Sequence, residues 1–255
     1  MLTRFEIAAC EPVLDGKHFG AAGAYEQLTG SAYFAFDPEH RHNQAVVDLA
    51  LAPRNAAGLV ECRADIWILQ PVDRALGNGN LFYYVVNRGR KGALSTFNLA
   101  EGANAPKTEA EFGDGLLLEA GYVVAACAWQ ADVPPESDED FNLLTLDAPM
   151  APGVQGPVGC EILVDEPMQI HSLGSRYHRP YEVAPGSEDQ AQLTVRAEPY
   201  GEAKPVAREA WEFTRLDDDR PAIHYAAGFI PGLIYNLVYT GKDPVIMGTG
   251  LAVTR

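Results

Sequence analysis

The sequence predicts an α/β fold: a mixed sheet with an antiparallel, β-rich N-terminal section and a β-rich insert. Three observations predict it. Several β-like runs crowd into the first 75 residues with only turns between them. Such spacing favours an antiparallel meander, because parallel neighbours need a crossover of roughly a dozen residues or more. Two apolar runs, 81–87 and 122–128, flank a stretch with helical spacing, which is the pattern of a parallel pair with a right-handed crossover. The 24 Gly and 18 Pro among 255 residues point to many turns and short strands.

The elements follow in order. Residues 5–10 read as an edge strand, and 16–23 as a glycine-rich turn region. Residues 31–36 form an aromatic strand that Asp37 and Pro38 stop. Residues 45–51 read as the next strand, ended by Pro53. Residues 59–70, with Val60, Ile66, Trp67, Ile68 and Leu69, form a long strand ended by Pro71. Strand 81–87 carries few polar residues, as expected of a strand covered on both faces. Residues 88–92 make a tight polar loop. A helix spans 108–120, where Phe112, Leu116, Leu117 and Ala120 fall at helical spacing and Gly121 stands where a terminating glycine belongs. The next buried strand runs from Tyr122. Beyond Asp132 short β-like runs recur at 158–164 and 192–197, and 205–211 reads as a short helix with Pro205 in its first turn. Residues 233–239 form a return strand. From Val245 a helix begins without the residues that commonly end one.

This pass divides the chain into an antiparallel β section (1–75), a βαβ core unit (80–131), a β-rich insert or lid (132–232), and a return strand with the start of a helix (233–255), all within one incomplete domain. A chain this long buries roughly 70–75% of its unfolded surface, so its core needs neither disulfides nor metal. The net charge of −16 repels phosphate backbones and anionic lipid, which argues against nucleic acid and membrane partners. The acidic runs 136–140 and 217–219 read as solvated loops, and neither has the ligand spacing of a calcium loop. Cys10, Cys62, Cys127 and Cys160 are scattered, with no C-x-x-C, so their pairing stays open. Residues 1–6 lack a signal peptide's apolar stretch, and the longest apolar run is far too short to span a bilayer. The chain as written reads as soluble and cytoplasmic, or as secreted or periplasmic if a leader was removed.

Specific stretches carry a resemblance: Gly20–Glu26, Asp37 with Pro38, residues 47–55 with 58–61, residues 85–91, Gly121–Val124 leading to Trp129 and Gln130, and Tyr239–Val245. Through them the chain resembles the N-terminal part of the bacterial α/β-hydrolase domain-containing proteins, over essentially its whole length. The resemblance implies an α/β-hydrolase-type sheet and carboxylic-ester hydrolysis of a small-molecule ester, with no cofactor. It also implies that the helix near Val245 leads toward the strand bearing the nucleophilic serine, with the acid and histidine later still. The chain is thus expected to be truncated before its nucleophile and inactive alone.

The residues agree about the nucleophile. None of Ser31, Ser95, Ser137, Ser172, Ser175 or Ser187 has glycine two positions before it, and no G-x-C-x-G occurs. A nucleophile elbow needs small flanking residues because the turn is strained and packs closely. Asn87, Arg88 and Gly89 stand where such hydrolases supply an oxyanion-hole amide, the competing reading being a strand-ending turn with solvated Arg88, Arg90 and Lys91. Trp129 and Gln130 close the next strand, outside whose carboxyl end ligands bind in open sheets, so they are candidates to line a pocket. The competing reading has Trp129 capping the core and Asp132 starting a turn.

Other constellations read as structural. His40 and His42, near Asp37 and Asp48, lie in a polar, proline-started stretch that suits a surface turn better than a metal site. His171, His178 and His224 precede any triad position, because a triad histidine follows its serine in this fold. Tyr33, Phe34, Phe36, Phe82, Tyr83 and Tyr84 read as core packing. Gly77–Gly79 precedes a strand, so it is not a dinucleotide fingerprint. Against the hydrolase reading stands a non-catalytic β-rich binding or assembly module. The half-built sheet of the first reading would leave an exposed edge open to self-association.

Overall fold

The structure, a computed structural model, describes residues 1–133, 142–174 and 178–255. The acidic run 136–140, Ser137 and Ser175 therefore lie outside the described residues. Thirteen strands were found among the described residues: β1 (Leu2–Pro12), β2 (Tyr25–Phe36), β3 (Val60–Pro71), β4 (Leu81–Tyr83), β5 (Val123–Cys127), β6 (Leu146–Asp147), β7 (Gln155–Ile162), β8 (Met168–Ser172), β9 (Gln192–Arg196), β10 (Lys204–Val206), β11 (Trp211–Arg215), β12 (Pro221–Phe229) and β13 (Ile234–Lys242). The α-helices are α1 (Ala93–Phe97), α2 (Glu109–Phe112), α3 (Leu116–Glu119) and α4 (Thr249–Thr254).

The fold is mostly β, which corrects the α/β expectation. Strand accounts for 40% and helix for 16%, with four short α-helices and mixed and antiparallel sheets in place of a helix-rich α/β-hydrolase pattern. The expected helix over 108–120 shows why. Its N-terminus forms as a capping box, with Glu111 accepting from the Thr108 amide at 2.8 Å. Gly113 (φ 67°) and Gly115 (φ 75°) then turn left-handed and split it into the four-residue turns α2 and α3. Apolar spacing places Phe112, Leu117 and Leu118 inward, but glycine's freedom at positive φ overrides helical continuity.

Two further elements differ. Residues 45–51 are not a strand: the Val46 amide donates to Asn43 at 2.9 Å and the Leu49 amide to Val46 at 3.3 Å, and Asp48 at φ 64° leads into a 3-10 turn. Residues 205–211 are not a helix but the end of β10, a 3-10 turn and the start of β11. In both places local turn bonds outweigh a weak apolar periodicity.

The chain divides into two compact units, 1–149 with 245–255, and 150–244. In the first, six strands form a sheet of order β1-β2-β3-β5-β4, with β6 beside β3. The β1–β2, β2–β3 and β3–β5 pairs are antiparallel, while β4 and β5 are parallel. One face carries Tyr25 and Trp67, both essentially unexposed. The Tyr25 hydroxyl reaches the carbonyls of Leu118 and Tyr122, each at 3.0 Å, and Phe19 lies edge-on to the Tyr25 ring. α2 and α3 are thereby held to that face. Asn98, fully buried, ties them to α1: its side chain donates to Phe112 O at 3.2 Å and accepts the Leu117 amide at 3.0 Å.

In the second unit, sheets β10-β9-β13-β7 and β11-β12-β8 are antiparallel and share one hydrophobic cluster. Ile162, Leu193, Tyr235 and Leu237 from the first sheet meet Trp211, Ile223 and Phe229 from the second. Phe229 lies edge-on to Tyr235 at 5.0 Å. All four cysteines are free thiols. Among the described residues no helix is long and apolar enough to cross a membrane.

Candidate functional site

β4 and β5 run parallel, so the loops that leave their carboxyl ends, 84–92 and 128–133, lie side by side. Both belong to the first unit. The β5 exit braces the β4 exit at three points. Trp129 Nε1 donates to the carbonyl of Val86 at 2.6 Å. The Arg88 amide donates to Gln130 Oε1 at 2.6 Å. The Arg88 guanidinium pairs with Asp132 Oδ1 at 2.7 Å and reaches the Asp132 carbonyl at 3.2 Å. The Arg88 and Asp132 side chains are each only 17% exposed, and charge-assisted bonds of this length are strong.

This brace holds strained backbone. Arg88 adopts φ 53° and Gly89 φ 76°. For a long side chain the left-handed region costs about 1–2 kcal/mol. Gly89 is required twice over, because a Cβ there would lie 2.6 Å from the carbonyl oxygen of Leu144. The Gly89 carbonyl accepts the Leu144 amide at 3.0 Å, and Gly89 is buried. Its own amide donates to no partner among the described residues.

Three of the five site candidates from the sequence, Arg88, Trp129 and Gln130, meet in this brace, and Asn87 and Gly89 flank Arg88 in the same loop. Asn87 is exposed, and its carbonyl accepts the Arg90 amide at 3.1 Å. Arg88 and Gly89 form the strained turn. Trp129 and Gln130 are half-buried, and their polar side-chain atoms face the β4 exit.

Three contributors were missed in the sequence. Asp132, a turn-starting residue in the competing reading, neutralises Arg88. Lys91, solvated in the competing reading of this loop, is 4% exposed and donates to the Asn142 carbonyl at 2.5 Å. Burial pushes its ammonium down to about 8, against the opposing pull of Asp65. Asp65 itself pairs with Arg63 at 2.8 Å and accepts from Thr145 Oγ1 at 2.8 Å. The third is Gly250 in α4, where any Cβ would strike the Trp129 carbonyl, so α4 packs directly on the β5 exit. Only its glycine marks this in the sequence; the other two carry no periodic or motif signal.

The serines fit the absence of an elbow. The Ser95 hydroxyl donates to Gly92 O at 3.1 Å and that of Ser187 to Ala184 O at 2.6 Å, while Ser172 Oγ accepts the Gly174 amide. His40 and His42 lie in the turn after Pro38, with ring centroids 5.3 Å apart. Among the described residues no group of three or more His, Cys, Asp or Glu could hold a metal. Phe34 and Phe36 stack in the core at 6.1 Å, whereas Tyr83 is 38% exposed. A separate cavity of about 780 Å³ in the first unit is lined by Phe5, Phe34, Phe36, Ile66, Tyr83 and Val253 among others.

No protein family matches the chain, and neither a curated protein nor a solved structure matches it.

Proposed function

We propose that this chain supplies the oxyanion-binding portion of a carboxylic-ester hydrolase, as its resemblance implies, and does not turn over substrate alone. The observation that carries the reading is the braced β4 exit, where a strained Arg88–Gly89 turn holds a Gly89 amide that donates to no partner among the described residues. Strain of this kind is kept where surrounding structure over-determines it, and it clusters at ligand clamps and active sites. The Gly89 amide is the donor for the negative oxygen that develops on an ester carbonyl. One such donor is worth about 3–4 kcal/mol at the transition state. The serine that attacks the carbonyl is not supplied by an elbow in these residues; its proton passes to the alcohol that leaves as the acyl-enzyme forms, and water then hydrolyses the acyl-enzyme to the acid and the free serine.

Two measurements test this. The chain should not hydrolyse a p-nitrophenyl ester, and a fluorophosphonate should label none of its serines; fluorophosphonate-sensitive hydrolysis overturns the prediction of inactivity. In a nitrogen-15-labelled chain, the Gly89 amide resonance should shift on titration with butyrate as a carboxylate probe. An unmoved Gly89 resonance at saturating butyrate sinks the oxyanion role.

One observation favours a second reading, a non-catalytic β-rich binding module. The cavity beside Phe34 and Tyr83 has the size and apolar lining of a small-molecule site. That reading expects saturable binding of an apolar fluorophore that Tyr83→Arg abolishes, with no response at Gly89.

A further inference from the structure

β1 is the edge strand of the six-stranded sheet, and among the described residues β2 is its sole strand partner. Residues 1–8 are all exposed, with Leu2 at 46%, Phe5 at 51% and Ile7 at 44%. Its pairing register gives the strand two unlike faces. Leu2, Phe5 and Ile7 lie on the side of Phe34, Ala32 and Gly30, whereas Arg4 and Glu6 lie on the side of Tyr33 and Ser31. The Arg4 guanidinium sits 3.8 Å over the Tyr33 ring and 3.4 Å from Glu6, so the charged pair is held in place on an open surface. Irregularities at Leu2/Arg4 and Ile7/Ala9 bracket a regular run from Arg4 to Ile7.

We propose that β1 pairs antiparallel with β1 of a second copy of this chain, about a two-fold axis through Phe5. An unpaired strand edge is a template for another strand. The sequence of this edge selects its own partner and register. With Phe5 on the axis, Arg4 faces the partner's Glu6 and Glu6 faces the partner's Arg4. Phe5 meets its counterpart, so the aromatic pair stays on one face and the charges on the other. Opposite charges and aromatic pairs directly across a ladder are each favourable. Every nearby register is worse. A shift of one position sets Phe5 against a charged residue, and a shift of two sets Glu6 against Glu6 or Arg4 against Arg4. Because side chains alternate, a one-residue slip also carries each apolar residue to the charged face. This pairing is independent of the oxyanion reading.

Sedimentation velocity of the full chain over a concentration series tests it. Wild type should show a reversible monomer–dimer equilibrium. Glu6→Arg should weaken it at least tenfold by setting Arg against Arg, and Arg4→Glu with Glu6→Arg should restore it. These side chains are over half exposed, so circular dichroism should show the fold retained. On a Cys10→Ser background, Phe5→Cys should give a disulfide-linked dimer under mild oxidation. A wild type that stays monomeric, a Glu6→Arg variant that dimerises as well as wild type, or a dimer in which Phe5→Cys fails to cross-link each overturns the proposal.

Discussion

The side-chain carbonyl of Gln130 accepts the backbone amide of Arg88 at 2.6 Å, across 42 residues of sequence. A glutamine at the end of one strand thus holds a left-handed residue at the end of its neighbour. Gln130→Leu should lower stability by about 1–3 kcal/mol, because the Arg88 amide loses its acceptor in a half-buried site. Gln130→Glu, which keeps the acceptor, should lose much less. Urea denaturation of the two variants measures the difference; equal losses would show that the bond contributes little.

Gly89 and Gly58 separate strain from collision. Both sit at positive φ, 76° and 78°, but a Cβ at Gly58 meets open space while one at Gly89 meets the Leu144 carbonyl. Gly58→Ala should cost about 1–2 kcal/mol from backbone conformation alone. Gly89→Ala should cost clearly more and shift the Leu144 amide resonance. Similar losses in thermal melts would mean that the 89–144 contact relaxes freely.

Asn98 should act as a hub for the helical side of the sheet. Asn98→Ala leaves the Phe112 carbonyl and the Leu117 amide unpaired in the core, with an expected loss of about 3 kcal/mol. Hydrogen exchange should quicken at Leu117 and across α2 and α3 first. Unchanged protection there would place the joint elsewhere.

Alkaline stability should follow the buried thiols. Burial raises Cys62 and Cys127 from 9.0 to about 12 and Cys160 to about 11. The unfolded chain releases these protons near pH 9 while the folded chain keeps them, so stability present below pH 9 is lost as pH rises toward 11–12. Lys91 works in the opposite sense. Its ammonium falls from 10.5 to about 8, so the unfolded chain holds that proton more tightly and stability rises across that window. The net expectation is a rise from about pH 8 to a maximum near pH 9 and a fall above it, where three thiols outweigh one ammonium. Cys62→Ala with Cys127→Ala should flatten the fall, each by up to about 1.4 kcal/mol per pH unit. A fall equally steep without the two thiols would assign it to other groups.

How much was legible depends on how local each cause is. The edge strand at 5–10, the long strand near 59–70, the apolar strand after Tyr122 and the strand at 233–239 follow from side-chain alternation and apolar runs, and β1, β3, β5 and β13 stand there. The missing nucleophile elbow is legible too, because it is a contiguous pattern of residue types. The helix over 108–120 was misread because Phe112, Leu116 and Leu117 satisfy its period while Gly113 and Gly115 break it through backbone conformation. β8 and β11 went unseen because each is a five-residue run of mixed polarity, and β8 pairs with a strand that comes much later in the chain.

The candidate site divides along the same line. Residue types alone placed Asn87–Gly89 and Trp129–Gln130 at the ends of two apolar strands, since polar and glycine residues end such runs. That the two ends meet, that Asp132 neutralises Arg88, and that Lys91 lies buried against the Asn142 carbonyl depend on groups more than 40 residues apart. Folding brings such groups within 3 Å through the parallel pairing of β4 and β5 and the packing around it. Composition and periodicity describe each segment's own preferences; the partner that satisfies a buried amide or charge is chosen by the assembled chain, because the cost of leaving it unpaired arises only once water is excluded.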